Sequence, residues 1–528
     1  MVAVPAVAEL VVGGYRLGGP SLWRDEAATI SGSQRPLGAI LAMMANQDAV
    51  HGPYYLLMHP VIAAGGISAA TLRLPSLIAM CLAAGLTAAL ARRLAVGSGL
   101  PGAQAVGLIA GLVLVAVPLT TRYAQEARPY ALATLFAVLA TYLLVRAVER
   151  PRPLPWALYA TALLLTGLFN LFAVLLAVAH SASLAWGGRP ASPAPPGPPE
   201  SAAQPDQPDQ PDRPERHEQA GGQVTGTVVK GWLAACAAAA AALAPLAYLS
   251  AGQSSQINWV TRPDASTIAS LLRDFAGGTA LIPVIAVLAL LGCAAGLGVR
   301  RGASLTLAAV ALPWLVLPPV LLIIASLVHP VYVERYVVFC LPALAMLMSA
   351  GLVWLGVLTR RALAGRGLGT RLPATLAAAP SAALAAVIVI AAIGPQREIR
   401  QVSARVDDLR AVASVIAARE RPGDAVLYLP RDAELVGVAY PAPFRRLVDV
   451  GLGQTPIASA TLRGTSAAPA VIAARLRDVR RLWTIQWASP LSRSTAAPAY
   501  LARLLAPLRS AGRWRIQSVL LRLYVRNR

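Results

Sequence analysis

The chain has almost no lysine. Of its 46 basic residues, 45 are arginine and Lys230 is the exception. Cysteine is scarce as well. Cys81, Cys236, Cys293 and Cys340 all fall in apolar segments and form no CxxC motif. A disulfide framework is therefore not expected, and the four read as small buried hydrophobes. Standard metal-ligand spacing is missing, and so is the basic n-region of a cleavable signal peptide. No internal repeat is visible and few polar residues fall mid-span, which argues against a transporter or lipid flippase. Acids are few, leaving a formal net charge of +22. The arginines cluster at segment ends and in the last third rather than in one stripe, so nucleic acid is not the expected partner.

What the chain does contain is apolar length. Its 528 residues are 56% hydrophobic, with a mean hydropathy of +0.59. Apolar runs of about 18 or more residues recur, which predicts a polytopic α-helical membrane protein. About eleven spans are expected, near 1–19, 71–91, 103–121, 129–147, 156–169, 170–187, 231–250, 281–299, 303–328, 336–358 and 374–394. The first is short and carries Glu9. An acid at mid-span costs about 2.5–3.5 kcal/mol on insertion scales. Either Glu9 faces the protein interior or the true start lies upstream, and the second is slightly favoured.

Residues 156–187 read as one long helix or as a hairpin broken near Thr166–Asn170. Charge decides between them. With a hairpin, Arg92-Arg93, Arg146, Arg150, Arg152, Arg189, Lys230, Arg300-Arg301, Arg360-Arg361, Arg366 and Arg371 share one side, which the positive-inside rule makes cytoplasmic. The N-terminus is then cytoplasmic and everything after residue 395 is extracytoplasmic, in a multi-pass protein of the plasma membrane.

Residues 1–395 thus form a transmembrane domain, with 20–70 as its first outer loop. Residues 188–229, proline-rich and polar, are expected to be a disordered cytoplasmic loop; His217 lies in it, with no metal role expected. Residues 396–528 alternate helix and strand: helix at 407–420, strand at 425–429, helix at 471–481, strand at 482–485, helix at 500–509 and one or two strands in 514–524. This predicts a small extracytoplasmic α/β domain without a glycine-rich phosphate loop.

That topology gathers the polar clusters on the outer side. They are Asp25-Glu26; Asp48, His51, Tyr54 and Tyr55; Arg122, Tyr123, Glu126, Arg128 and Tyr130; Trp259; and Tyr332, Glu334, Arg335 and Tyr336. Together they supply a carboxylate able to take a proton from an acceptor hydroxyl, arginine forks suited to a phosphate, and aromatic rings. The local alternatives are a helix cap or solvated pair for Asp25-Glu26, and ion pairs of Arg128 with Glu126 and of Arg335 with Glu334. Arg73 reads as a helix-start arginine meeting headgroups. His180 and Asn170 read as interhelical hydrogen-bonding groups.

Leu22-Trp23-Arg24-Asp25-Glu26-Ala27, Gly52-Pro53-Tyr54-Tyr55-Leu56-Leu57, Leu72-Arg73-Leu74-Pro75-Ser76, Gln125-Glu126-Ala127-Arg128-Pro129-Tyr130 and Glu334-Arg335-Tyr336 occur in that order. The series resembles the signature of GT-C membrane glycosyltransferases, in the branch related to protein O-mannosyltransferases and lipid A aminoarabinose transferases. The resemblance spans about residues 15–350; the C-terminal domain looks like the outer domain of actinobacterial members. It implies an inverting transferase whose donor is a polyprenyl-phosphate sugar, with mannose favoured by family frequency alone. The acceptor stays open between protein, lipid and wall glycan. It further implies Asp25 as base, with Glu26 beside it. Arg128, Arg335 and Arg122 would lie near the donor phosphate with Glu126, and residues 37–60 would form juxtamembrane helices. The Asp48–Pro53 stretch departs from the commoner form, in which a histidine and two prolines lie closer to the acid, so Asp48 and His51 enter only as supporting residues. No cofactor is expected; a divalent metal on Asp25, Asp48 and His51 is the minor alternative.

Overall fold

A computed structural model describes residues 1–187, 226–296, 305–365, 374–487 and 499–526. Most of the expected cytoplasmic loop, with Arg189 and His217, and also Arg300-Arg301, Arg366 and Arg371, lie outside the described residues. Residues 226–229, expected at the end of that loop, instead start a helix.

The first long loop follows α1 (Ala3–Gly14) and contains α2 (Arg24–Ser33), α3 (Leu37–Asn46) and α4 (Gly52–Gly65). The long α5 (Ala69–Gly97) starts where the Ser68 hydroxyl accepts from the Thr71 N–H, satisfying a first-turn donor. Next come α6 (Ala103–Ala116), α7 (Pro118–Ala124), α8 (Tyr130–Glu149), α9 (Pro153–Phe169) and α10 (Leu175–Gly187). The second half contributes α11 (Gly226–Gly252), α12 (Ala265–Ala276), α13 (Ile282–Gly296), α14 (Leu307–Val328), α15 (Leu341–Gly365) and α16 (Ala374–Glu398).

Among the described residues, six helices are long and apolar enough to cross a membrane, or eight when each bent pair counts as one span. The apolar helices Ala3–Gly14, Pro153–Phe169 and Leu171–Trp186 are shorter; with them the series follows the expected order of spans. The break at Asn170 that the charge pattern called for is present: α9 ends there and a 3-10 turn follows. Both bends have local causes. Between α6 and α7 the chain turns by 68°, where Val117 is extended ahead of Pro118, as proline's ring requires of its predecessor. Between α12 and α13 it turns by 79° through Gly277 and Gly278, both at positive φ, which glycine alone adopts without strain.

Glu9 is fully buried, so it faces the protein interior. α13 and α15 approach through facing glycines: a Cβ on Gly292 would overlap the Leu347 carbonyl, and one on Gly351 the Leu288 carbonyl. Small residues at such crossings let backbones touch where lipid offers no hydrophobic drive.

The C-terminal part carries α17 (Leu409–Ala417), α18 (Leu435–Ala439), α19 (Pro469–Leu476) and α20 (Ala499–Leu505). They pack about one sheet of β1 (Ala425–Leu429), β2 (Val448–Asp449), β3 (Arg481–Trp487), β4 (Leu508–Ile516) and β5 (Val519–Arg526), ordered β2-β1-β3-β5-β4. β1 runs parallel to β2 and β3, while β5 is antiparallel to β3 and β4. Two expectations are corrected. The helix expected to reach Arg509 stops at Leu505, because Leu508 and Arg509 pair with β5. The helix expected to reach Arg481 stops at Leu476, because Arg481 opens β3. In both places sheet pairing overrides helical periodicity.

Candidate active site

Neighbouring residues on a helix point roughly 100° apart, and that separates Asp25 from Glu26 on the first turn of α2. Glu26 turns inward and is fully buried. The Arg73 guanidinium on α5 grips it with both arms, Nε to Oε1 and Nη2 to Oε2, each at 2.7 Å. The Ala127 N–H donates to Oε1 at 3.0 Å. Burial alone would raise the Glu26 pKa, but the Arg73 charge and hydrogen bonds outweigh it and hold the carboxyl below its ordinary range. Arg73 also donates to the carbonyls of Leu17, Pro20 and Ser21. It is fully buried, so the expectation that it meets headgroups is corrected. Its stem is in the helix, but its head closes the loop between α1 and α2.

Asp25 turns the other way. Its side chain is 22% exposed, with Arg335 Nη1 at 3.8 Å from Oδ2. Arg335 therefore takes Asp25 as its partner, and no Arg335–Glu334 ion pair is found among the described residues. Arg128 Nη1 donates to the Asp25 carbonyl at 3.4 Å. Two guanidiniums thus flank one half-open carboxylate. In each, the Nε is buried without a hydrogen-bond partner among the described residues.

The Arg128 head is fixed by a chain of side chains. Its Nη2 lies 2.8 Å from His51 Nε2, and His51 Nδ1 lies 2.7 Å from Asp48 Oδ1. A guanidinium only donates. His51 Nε2 must then accept, so Nδ1 carries the proton and donates to Asp48. The other Asp48 oxygen accepts from the Tyr55 hydroxyl. Burial, then the Arg128 charge, lowers the His51 pKa. Asp48 is held below the usual carboxylate range despite burial, chiefly by His51. Asp48 sits in the left-handed region at φ 57°, which few non-glycine residues occupy.

Aromatic rings line this group. The Arg335 head lies over the rings of Trp259 and Tyr336, 5.5 and 5.7 Å from their centroids. Tyr130 packs edge-on against Tyr123 at 5.5 Å and beside Tyr336 at 6.2 Å. The Tyr130 and Tyr332 hydroxyls have no hydrogen-bond partner among the described residues. Tyr54 is fully buried. Asn170 donates to the Tyr336 carbonyl at 2.8 Å, and His180 bonds Thr141 and Tyr159 between helices.

Arg122 and Glu126 form a second cluster. Glu126 Oε2 accepts from Arg122 Nε and from Arg405 Nη1, both at 3.2 Å. Arg122 Nη1 donates to the Ala404 carbonyl at 2.5 Å, and Arg405 Nη2 to the Gln125 carbonyl at 2.6 Å. Arg405, buried against Gln125 and Glu126, was not among the sequence candidates; nothing in its local pattern marks it. Burial and the nearby Arg122 charge push its pKa down to about 10. Asp407, equally buried, accepts from the Arg24 N–H, Nε and Nη2 and from Ser518. The segment 404–407 therefore plugs into both site loops.

No group of three or more His, Cys, Asp and Glu is gathered as for a metal among the described residues.

No protein-family model matches the chain, and no curated protein matches it by sequence. Solved structures do. ArnT from Cupriavidus metallidurans, in the apo state and bound to undecaprenyl phosphate, superposes with a TM-score of 0.57 at 12% identity over 99% of this chain and 97% of that one. AglB, an archaeal oligosaccharyltransferase from Archaeoglobus fulgidus in complex with an inhibitory peptide and a dolichol-phosphate, gives a TM-score of 0.41 at 10% identity, over 92% of this chain and 68% of that one. The chain has the fold of ArnT, with membrane helices followed by a small sheet domain, as its motifs led us to expect.

Proposed function

We propose that the protein is a glycosyltransferase that moves a sugar from a polyprenyl-phosphate donor to an acceptor hydroxyl on the outer face of the plasma membrane. The observation that carries the reading is Asp25 held between Arg128 and Arg335, each guanidinium with an unpartnered buried Nε. A buried donor without a partner is costly, and a phosphate supplies acceptors for both. ArnT, whose fold this is, has been solved with undecaprenyl phosphate bound; that class of lipid phosphate is the donor carrier we assign here. The positive-inside charge pattern supports the outer placement.

In the proposed step the acceptor O–H gives its proton to Asp25. Its oxygen forms a bond to the anomeric carbon while the bond from that carbon to the phosphate oxygen breaks. The electron pair leaves with the polyprenyl phosphate, whose charge Arg128 and Arg335 receive. Attack opposite the leaving group inverts the anomeric centre. Glu26, with Arg73, orients α2; Asp48, His51 and Tyr55 orient Arg128; Arg122 and Glu126 hold the C-terminal segment. Trp259 and Tyr336 pack on the Arg335 head, with Tyr123 and Tyr130 beside them, and offer rings to the sugar.

Asp25→Asn tests the base. General-base catalysis contributes about 10²–10⁴-fold, so transfer falls by at least about 100-fold while thermal unfolding is unchanged. Membranes are incubated with a panel of labelled polyprenyl-phosphate sugars, mannose first, and products are read by mass spectrometry. Full transfer by a folded Asp25→Asn protein removes Asp25 as base. Movement of the sugar lipid across a vesicle without product would point to a flippase instead.

A further inference from the structure

A polar cavity of about 290 Å³ opens between the end of α3, the turn after α11 and the C-terminal domain. Asn46, Gln47, Gln256, Arg431, Asp432 and Arg463 line it. Its volume lies just below the roughly 300–1,000 Å³ typical of ligand sites, room for part of a ligand. Two amides are pre-set by the backbone. Gln47 Oε1 accepts from the Leu462 N–H at 2.9 Å, and Gln256 Oε1 accepts from the Asp48 N–H at 3.1 Å. With their oxygens taken, both present their NH₂ groups, which make no hydrogen bond among the described residues. Arg463 is ion-paired with Asp432, and Arg431 with Glu434 and Asp449.

That lining selects the chemistry of what fits. An anion would meet the Asp432 carboxylate. A cation would meet Arg431 and Arg463. A neutral hydroxyl both donates and accepts, so a ligand bearing several hydroxyls can donate to Asp432 and accept from the amides and the guanidiniums. Hydrogen bonds link the cavity to the proposed reaction site: Gln256 holds the backbone of Asp48, which through His51 holds Arg128 beside Asp25.

We propose that this cavity binds the neutral, hydroxyl-rich part of a saccharide acceptor, remote from its reacting hydroxyl; calling it the acceptor rests on the transferase reading above. Binding energy gathered away from the reacting centre is what orients an acceptor for attack. The C-terminal domain then supplies half of the acceptor site.

The test is titration of the full-length protein, in a detergent without a sugar headgroup, with mannotriose and maltotriose as neutral probes and inorganic phosphate as the charged one. A neutral trisaccharide binds the wild type in preference to phosphate. Asn46→Ala and Arg463→Ala each weaken it by roughly three- to ten-fold, the loss of one hydrogen bond, with unfolding temperatures unchanged. Absence of neutral binding, preference for phosphate, or equal binding by both folded variants overturns the proposal. Donor turnover is measured separately on the same samples. Saccharide binding without turnover would refute the transferase reading and keep the cavity as a saccharide site. Turnover without binding would do the reverse.

Discussion

Two adjacent acids illustrate what a single residue position decides. Asp25 and Glu26 are indistinguishable as a sequence pair, yet one is half-open between two arginines and the other is sealed against Arg73. Their separation follows from helical pitch once α2 is placed, and α2 is placed by α5, 47 residues away along the chain at the Glu26–Arg73 contact. His51 is decided in the same way. It must be neutral to accept from Arg128, and its folded pKa lies below the ordinary value of about 6.5. A depressed pKa means the unfolded chain binds the proton first. The stability His51 contributes is therefore complete above about pH 6.5 and is lost as pH falls below it. On protonation Nε2 becomes a donor facing a guanidinium, and Arg128 loses its anchor. The expected pH profile of kcat/KM has an acid limb that His51→Gln, whose amide oxygen can still accept, removes; an unchanged limb in that variant would show that His51 is not its source.

Elements were the more legible level. Apolar length, a local signal, predicts the membrane helices, and the sidedness of the basic residues along the whole chain predicts the break at Asn170. The strand at 425–429 was also foreseen from a short apolar run next to a turn, and the one expected at 482–485 is present and longer, over 481–487. Where the expectation failed, at Leu508 and Arg481, the deciding partner was a strand elsewhere in the sequence. The α13–α15 crossing supplies a prediction at this scale. Gly351→Ala puts a methyl group into the Leu288 carbonyl, with no flexible side chain to give way. Overpacking of this kind costs about 1–3 kcal/mol, so the variant unfolds at lower temperature in detergent. Gly394→Ala, which meets nothing within 4 Å, serves as the control and does not.

Across the whole molecule, the segment joining membrane helices to sheet domain does more than connect. Arg405 fills the space between Glu126 and Gln125, and Asp407 collects Arg24 and Ser518. Arg405→Ala leaves Glu126 buried with Arg122 alone. Removing one partner of a buried pair costs about 3–5 kcal/mol; Arg122 remains, so the lower end is expected. A thermal double-mutant cycle with Glu126→Gln reads it: the double variant loses less than the sum of the singles. Strict additivity would mean the pair is not coupled.

The resemblance of the ordered motifs brought Asp25, Arg128 and Arg335 forward as candidates, while composition and periodicity by themselves determined a polytopic membrane protein with a small α/β domain after it. These follow from properties each segment carries alone: its length, its apolar content and the charges at its ends. Only the tertiary structure decided that Asp25 rather than Glu26 is left half-open, that Arg73 is a buried clamp, that Asp48 and His51 hold Arg128, and that Arg405 meets Glu126. Each of those depends on a partner far away in the chain, and the pairing exists only once helices and sheet have packed.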